Sequence, residues 1–182
     1  LSATLSRICK EGNVNNVHSF VSFIPIGRTD VPKNIDTVHI ENTTSGINTD
    51  IPAIHDVAEQ CKYVSKRILP QLRNSALANT IKNISLFVNE FMPLDFINKL
   101  GDDGFRNTDF NCTNVAGPTR ELIIGGAKVN SVYAISSAGR FKFYLPLVSY
   151  NKKFRFILSM NDCLDVDGEK VLSYIDECFK EI

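Results

Sequence analysis

The sequence predicts one α/β (α+β) domain, and three observations carry that expectation. Apolar residues recur at helical spacing between Ile54 and Phe91, the period changes to strand-like alternation from Thr108 onward, and a last helical stripe closes the chain. With 182 residues, 43% of them hydrophobic, there is chain enough for one core, and no repeat, linker or low-complexity tract divides it. Twenty basic residues balance twenty acidic ones without a Lys/Arg block, which removes the electrostatic footprint of a nucleic-acid partner or an anionic membrane. The longest apolar runs, "SFVSFIPIG" and "FYLPLVSY", stop well short of the roughly 20 residues that cross a bilayer.

Each element has its own signal. "LSATLSRICKEG" reads as an amphipathic helix with Leu1, Leu5 and Ile8 on one face and Gly12 as its stop. The chain therefore opens inside a regular element and without Met, which predicts a piece cut from something longer. "VHSFVSFIPIG", Val17 to Gly27, reads as a buried strand, and "DTVHIEN" as a half-exposed one with Val38 and Ile40 on one side. A polar turn, "NTTSGINTD", follows. Asp50 is then a possible N-cap and Pro52 a first-turn residue for a helix carrying Ile54, Val57, Cys61, Val64 and Ile68. Pro70 ends or kinks that helix.

Leu77, Ile81, Ile84, Val88 and Phe91 form a second stripe, and Pro93 opens a third, short helix closed by Gly101, with "GDDGFRN" as a loop. Four strand candidates come next: "TDFNCTNVAG", "ELIIGGAKVNSVYAIS", "RFKFYLPLVSY" and "KKFRFILSM". The last two flank Tyr150-Asn151-Lys152 and read as a hairpin. A final helix aligns Val171, Ile175, Cys178 and Ile182, with Asp165 and Asp167 near its positive end.

Few motifs advertise chemistry. "NDCLDVDGE" fails as a calcium loop, because counting back from Gly168 puts Cys163 at position one and Tyr174 at position twelve; a solvated helix start explains it. "GGAKVNS" lacks the Gly-Lys-Ser/Thr ending of a phosphate loop. There is no G-x-S-x-G elbow, and His18, His39 and His55 sit singly in strand and helix candidates, where an imidazole is more often packed or solvated than catalytic. Cys9, Cys61, Cys112, Cys163 and Cys178 lie too far apart for a zinc or redox motif, leaving two disulfides plus one thiol, or five thiols, both open. No metal ligands or cofactor loop are found. Sequons begin at Asn42, Asn83 and Asn111, but a chain with seventeen Asn and many Ser and Thr makes such matches by chance. The apolar helix stripes suit either a core or a lipid tunnel, core packing being the simpler reading.

"TNVAGP", Thr113 to Pro118, resembles the T-N-V-P-G-P signature in the C-terminal half of the wax ester synthase/diacylglycerol acyltransferase (WS/DGAT) family, with Ala116 where that family usually has Pro. "LIIGGAKVNSVYAIS" resembles its L-x-L-A-G-A-x-V segment, and "LVSYNKKFRFILSMND" its L-x-S-Y-N-G-x-L hairpin followed by an acidic helix. "LSATLSRICK" and "VHSFVSFIPIGR" resemble its first helix and strand, so the likeness covers most of the chain and is strongest from Thr108 onward.

The resemblance implies a chloramphenicol acetyltransferase-like lobe: a mixed β-sheet flanked by helices, one of two lobes. The family's H-H-x-x-x-D-G motif, whose second His is the general base, belongs to the N-terminal lobe; this chain has no adjacent His pair. Residues 1–182 are thus expected to be a single C-terminal lobe with no catalytic residue of its own. Its substrate-tunnel or motif residues would be Thr113, Asn114, Gly117 and Pro118. Gly117 would permit a backbone conformation barred to other residues, Pro118 would fix the exit direction, and Asn114 would brace the bend or face the tunnel.

Two functions fit. One is half of an O-acyltransferase moving a fatty acyl group from acyl-CoA to an alcohol or diacylglycerol. The other is a processed, non-catalytic relative that carries a lipid or apolar pigment between its lobes. Both expect the N-terminal half of the same precursor as a second chain, and a lipid, acyl-CoA or other apolar ligand. Neither needs a cofactor, a metal or a nucleic acid. The sequons and clipped start suit a secreted or lumenal protein, the family a membrane-associated cytosolic one, and the sequence does not choose.

Overall fold

The computed structural model describes residues 1–14, 16–26, 45–162 and 164–182. In chain order the elements are α1 (Ser2–Glu11), β1 (Ser19–Ile26), β2 (Ser45–Pro52), α2 (Val57–Tyr63), a π-helical stretch (Val64–Ile68), α3 (Leu69–Arg73), α4 (Ser75–Phe91) and α5 (Leu94–Arg106). They continue with β3 (Phe110–Ala116), β4 (Ile123–Ile124), β5 (Ala127–Lys128), β6 (Phe143–Tyr150), β7 (Lys153–Phe156), β8 (Ser159–Met160) and α6 (Gly168–Lys180). The strand expected at Asp36 to Asn42, with His39, lies outside the described residues, as does Cys163.

The sheet is mixed, as expected, with strand order β2-β1-β3-β6-β7 and β8 also paired to β6. β1, β3 and β6 are parallel; β2, β7 and β8 run against their neighbours. Because successive side chains leave a strand on opposite faces, the sheet sorts its residues in two. Phe20, Phe110, Phe143 and Leu145 meet Leu5, Ile68, Val171 and Ile175 in the main core, so α1, the π-helical stretch and α6 cover that face. Phe23, Asn111 and Tyr144, opposite one another in register, point the other way.

A strand residue's N–H and C=O leave on the same side. Pro146, fully buried within β6, accepts from the Ile157 amide, so its missing donor faces the outer edge, where β7 has ended and β8 has not begun. A proline is thereby accommodated inside the sheet. The hairpin between β6 and β7 is as expected: Asn151 and Lys152 both have positive φ, 48° and 62°, which suits the twist of the strands they join.

Five expectations need correction. The polar turn at residues 45–50 is strand β2, because β1 needs an edge partner and Ile51, 6% exposed, packs opposite Phe20. The N-cap is accordingly Asp56, whose Oδ1 accepts from the Glu59 amide at 2.7 Å, and not Asp50. α5 is not closed by Gly101 but continues to Arg106, burying Phe105 against Phe23 and Phe141. The long strand at residues 121–136 is only the β4–β5 hairpin, turned by Gly125 and Gly126 at φ 59° and 80°, followed by an irregular strap. Ile182 is exposed, while Val171, Ile175 and Cys178 form the buried face of α6 as read. Pro70 does interrupt its helix: it cannot donate to the preceding turn, and the helix widens into the π-helical stretch before restarting as α3.

Candidate functional site

The bend that "TNVAGP" encodes sits where β3 leaves the sheet beside the end of β6. Thr113 through Ala116 pair in parallel with Pro146 through Ser149. Gly117 then donates its amide to Ser149 Oγ at 3.1 Å, and Pro118 accepts from the Asn151 amide at 2.9 Å. The chain is therefore tied to the β6–β7 hairpin on both sides of the bend.

Gly117 is required for a different reason from the one expected. Its φ is not in the left-handed region; instead a Cβ there would lie 2.0 Å from the backbone oxygen of Ser149. The two backbones approach too closely for any side chain, so space and not torsion excludes other residues.

Ser149 and Tyr150 complete the site, and the sequence reading did not pick them as site residues. Tyr150 is 4% exposed, and its hydroxyl accepts from the Leu122 amide at 2.9 Å and donates to the Val129 carbonyl at 2.8 Å. One phenol thus clamps both ends of the β4–β5 hairpin. The signal was present in "LVSYN", which falls within a segment of recognised resemblance; what could not be read was the parallel register that lays it against the bend.

The four expected residues are contiguous but differ in environment. Thr113 is half-buried, its Oγ1 3.3 Å from Asn111 Oδ1 and 3.4 Å from the Tyr144 hydroxyl. Asn114 is exposed, and the described residues offer its side chain no hydrogen-bond partner; bracing falls to Ser149 and Tyr150. Gly117 is half-buried and Pro118 exposed. Next to Thr113, burial pushes the Cys112 thiol up.

No general base stands in this site. His18 and His55 are exposed residues whose backbone carbonyls bind Ala53 and Arg7. Among the described residues no group of three His, Cys, Asp or Glu is placed to hold a metal ion, and no helix is long and apolar enough to cross a membrane. Cys9, Cys61, Cys112 and Cys178 are all unpaired thiols. The Asn111 sequon lies within β3 at 7% exposure, closed to glycan attachment in the folded chain.

Three parallel strands with one helix-covered face and a glycine-locked bend define a mixed α/β lobe, and comparison with known proteins gives its family. The family model of the WS/DGAT C-terminal domain matches residues 41–182, and the chain belongs to that family. Among solved structures it is similar to the wax ester synthase/diacylglycerol acyltransferase from Marinobacter aquaeolei VT8, with a TM-score of 0.58 and 17% identity. That match covers 99% of this chain and 40% of the Marinobacter chain, so the sequence spans well under half the length of its structural relative. At this identity the likeness establishes the fold. No curated protein sequence matches the chain significantly.

Proposed function

We propose that this chain is one lobe of an O-acyltransferase that moves a fatty acyl group from acyl-CoA to an alcohol or diacylglycerol, the N-terminal half of the protein supplying the general base. The observation that carries the reading is the locked bend itself, in a family of acyltransferase lobes and with no base among its residues. Thr113, Asn114, Gly117 and Pro118 shape a rim, and the proton acceptor comes from the facing half. Apolar side chains around the rim support a partner there: Val115, Ile123, Ile124 and Phe154 are each at least 49% exposed beside the β3–β6 end of the sheet. A surface of that kind is costly in water and favourable against a second lobe.

The test is transfer of radiolabelled palmitate from palmitoyl-CoA to hexadecanol or dioleoylglycerol by the complete protein. The expected result is an ester product lost when the N-terminal His pair is replaced. A complete protein without such a pair that makes no ester but retains lipid on extraction would replace this reading with the carrier, which a bend without His, Asp or Glu at residues 113–118 also fits.

A further inference from the structure

We propose that the free edge of β2 pairs with β2 of a second copy of the protein, joining two sheets across a two-fold axis. β2 stands at the end of the strand order, so its ladder is occupied on the β1 side alone. Which residues face outward follows from bonds already in place. The Ala53 amide donates to the His18 carbonyl at 2.9 Å, so residue 53 faces β1, and every second residue before it, Ile51, Thr49 and Ile47, does the same. Pro52, Asp50, Asn48 and Gly46 therefore turn their main-chain groups away from β1.

Two further contacts agree with that alternation. Val21, opposite Asp50, donates its amide to Asp109 Oδ2 at 2.8 Å and accepts from the Asp109 amide at 2.8 Å, both on the side away from β2. The outward carbonyl of Pro52 accepts from Ser2 Oγ at 3.2 Å. Gly46, Asn48 and Asp50 keep outward N–H and C=O groups that no other described residue pairs with. Pro52, with no N–H to offer, ends the row.

This edge lacks the devices that usually discourage pairing. β2 pairs one-to-one with β1 along its whole length, which excludes a bulge, and "SGINTDIP" holds no Lys or Arg and no Pro before its last residue. The Asn48 side chain is drawn towards α5, where its Nδ2 donates to the Gly104 carbonyl at 2.8 Å. α4 lies close to β2, yet Asn48 and Asp50 stay exposed, so the helix does not close the edge. Its Ile84, Phe87 and Phe91, each at least 54% exposed, add apolar surface on that side of the lobe.

The occupant is a second copy because the edge is complementary to itself. Antiparallel pairing centred on Asn48 sets it against the copy's Asn48, and Gly46 against the copy's Asp50 on either side, so that each facing pair exchanges two main-chain bonds. Asp50, the one charged residue of β2, then meets a glycine and no carboxylate. A register centred on Asp50 would oppose two carboxylates and set Pro52 against Asn48; one centred on Gly46 would carry Asn48 past the start of the copy's strand. β2 and β6 are three strand spacings apart, about 14 Å at about 4.8 Å each, which leaves the bend free for the other half of the protein. The pairing does not depend on the acyltransferase reading.

The experiment is sedimentation velocity of the complete protein over a wide range of concentration, with amide hydrogen exchange at the two extremes. Expected is a reversible monomer–dimer equilibrium. The amides of Gly46, Asn48 and Asp50 should exchange about tenfold more slowly once about nine-tenths of the protein is paired, while those of Ile47, Thr49 and Ile51 stay slow throughout. Asp50→Pro removes an outward N–H and leaves the bonds to β1 intact; it should weaken the dimer about thirtyfold, since the axis doubles the loss to two neutral hydrogen bonds. A monomer at every concentration overturns the pairing, as does a dimer indifferent to Asp50→Pro whose three amides exchange freely. Protection of those amides in the monomer would give the edge to another segment of the same protein, and species larger than a dimer would exclude the two-fold arrangement; either result overturns it. The exchange pattern is read on the wild type, so it decides the matter even where Asp50→Pro fails to fold.

Discussion

At the scale of single residues, the bend depends on a contact that only glycine allows. Gly117→Ala would drive a methyl group into the Ser149 carbonyl, which is backbone and cannot swing aside. The expected outcome is separation of the bend from the hairpin and a loss of about 1–3 kcal/mol, the usual cost of overpacking. Thermal melting checks it, and amide exchange at Gly117 and Asn151 locates it, since both amides would lose their acceptors. Gly125→Ala is the contrasting variant: it has open space around it but a φ of 59°, so its cost is torsional and local to the β4–β5 hairpin.

At the scale of elements, α1 and α6 are joined by two ion pairs. Arg7 holds Glu181 at 2.7 Å, and Lys170 holds Glu11 at 2.5 Å. Arg7 lowers the Glu181 carboxyl, chiefly by hydrogen bonding, and Lys170 with Tyr174 lowers Glu11 in the same way. A carboxyl depressed in the folded state contributes stability above its unfolded value, about 4.3 for Glu, and loses it as pH falls through the folded value. The wild type should therefore lose stability on acidification below about pH 4.3 more steeply than Arg7→Gln does, with the difference vanishing in high salt. Denaturant melts from pH 7 to 3 measure it.

Elements were legible where local pattern and final environment agree. The stripe Val171, Ile175, Cys178 survives, because that face of α6 is buried, Val171 and Ile175 in the main core and Cys178 beside Ala3 and Val57. β2 was not legible: "SGINTDIP" has turn chemistry, and only pairing with β1 makes it a strand. Gly101 and Gly104 disguised the second half of α5, whose helical state is supported by Phe105 packing across the sheet. The bend was read correctly as a bend, but its partners Ser149 and Tyr150 lie 32 and 28 residues along the chain from the groups they hold, at Gly117 and Leu122.

At the scale of the whole molecule, the exposed apolar side chains of the described residues include two groups outside the core. One surrounds the bend; the other runs along α4 and α5, where Ile84, Phe87, Phe91, Leu94 and Leu100 are each at least 51% exposed. The first is the surface proposed to meet the other half of the protein. Ile123→Asp combined with Phe154→Asp should therefore make the separate lobe more soluble and weaken its association with an N-terminal half supplied in trans. Size-exclusion chromatography of the mixed halves reads both effects, and unchanged association would place the junction elsewhere.

The gap opposite Pro146 also bears on self-association. Between Phe156 and Ser159 the outer rim of the sheet is discontinuous, so an incoming β-segment finds no uninterrupted template to extend. At that border the lobe is thereby guarded against fibrillar self-association, a protection that the continuous edge strand β2 does not share.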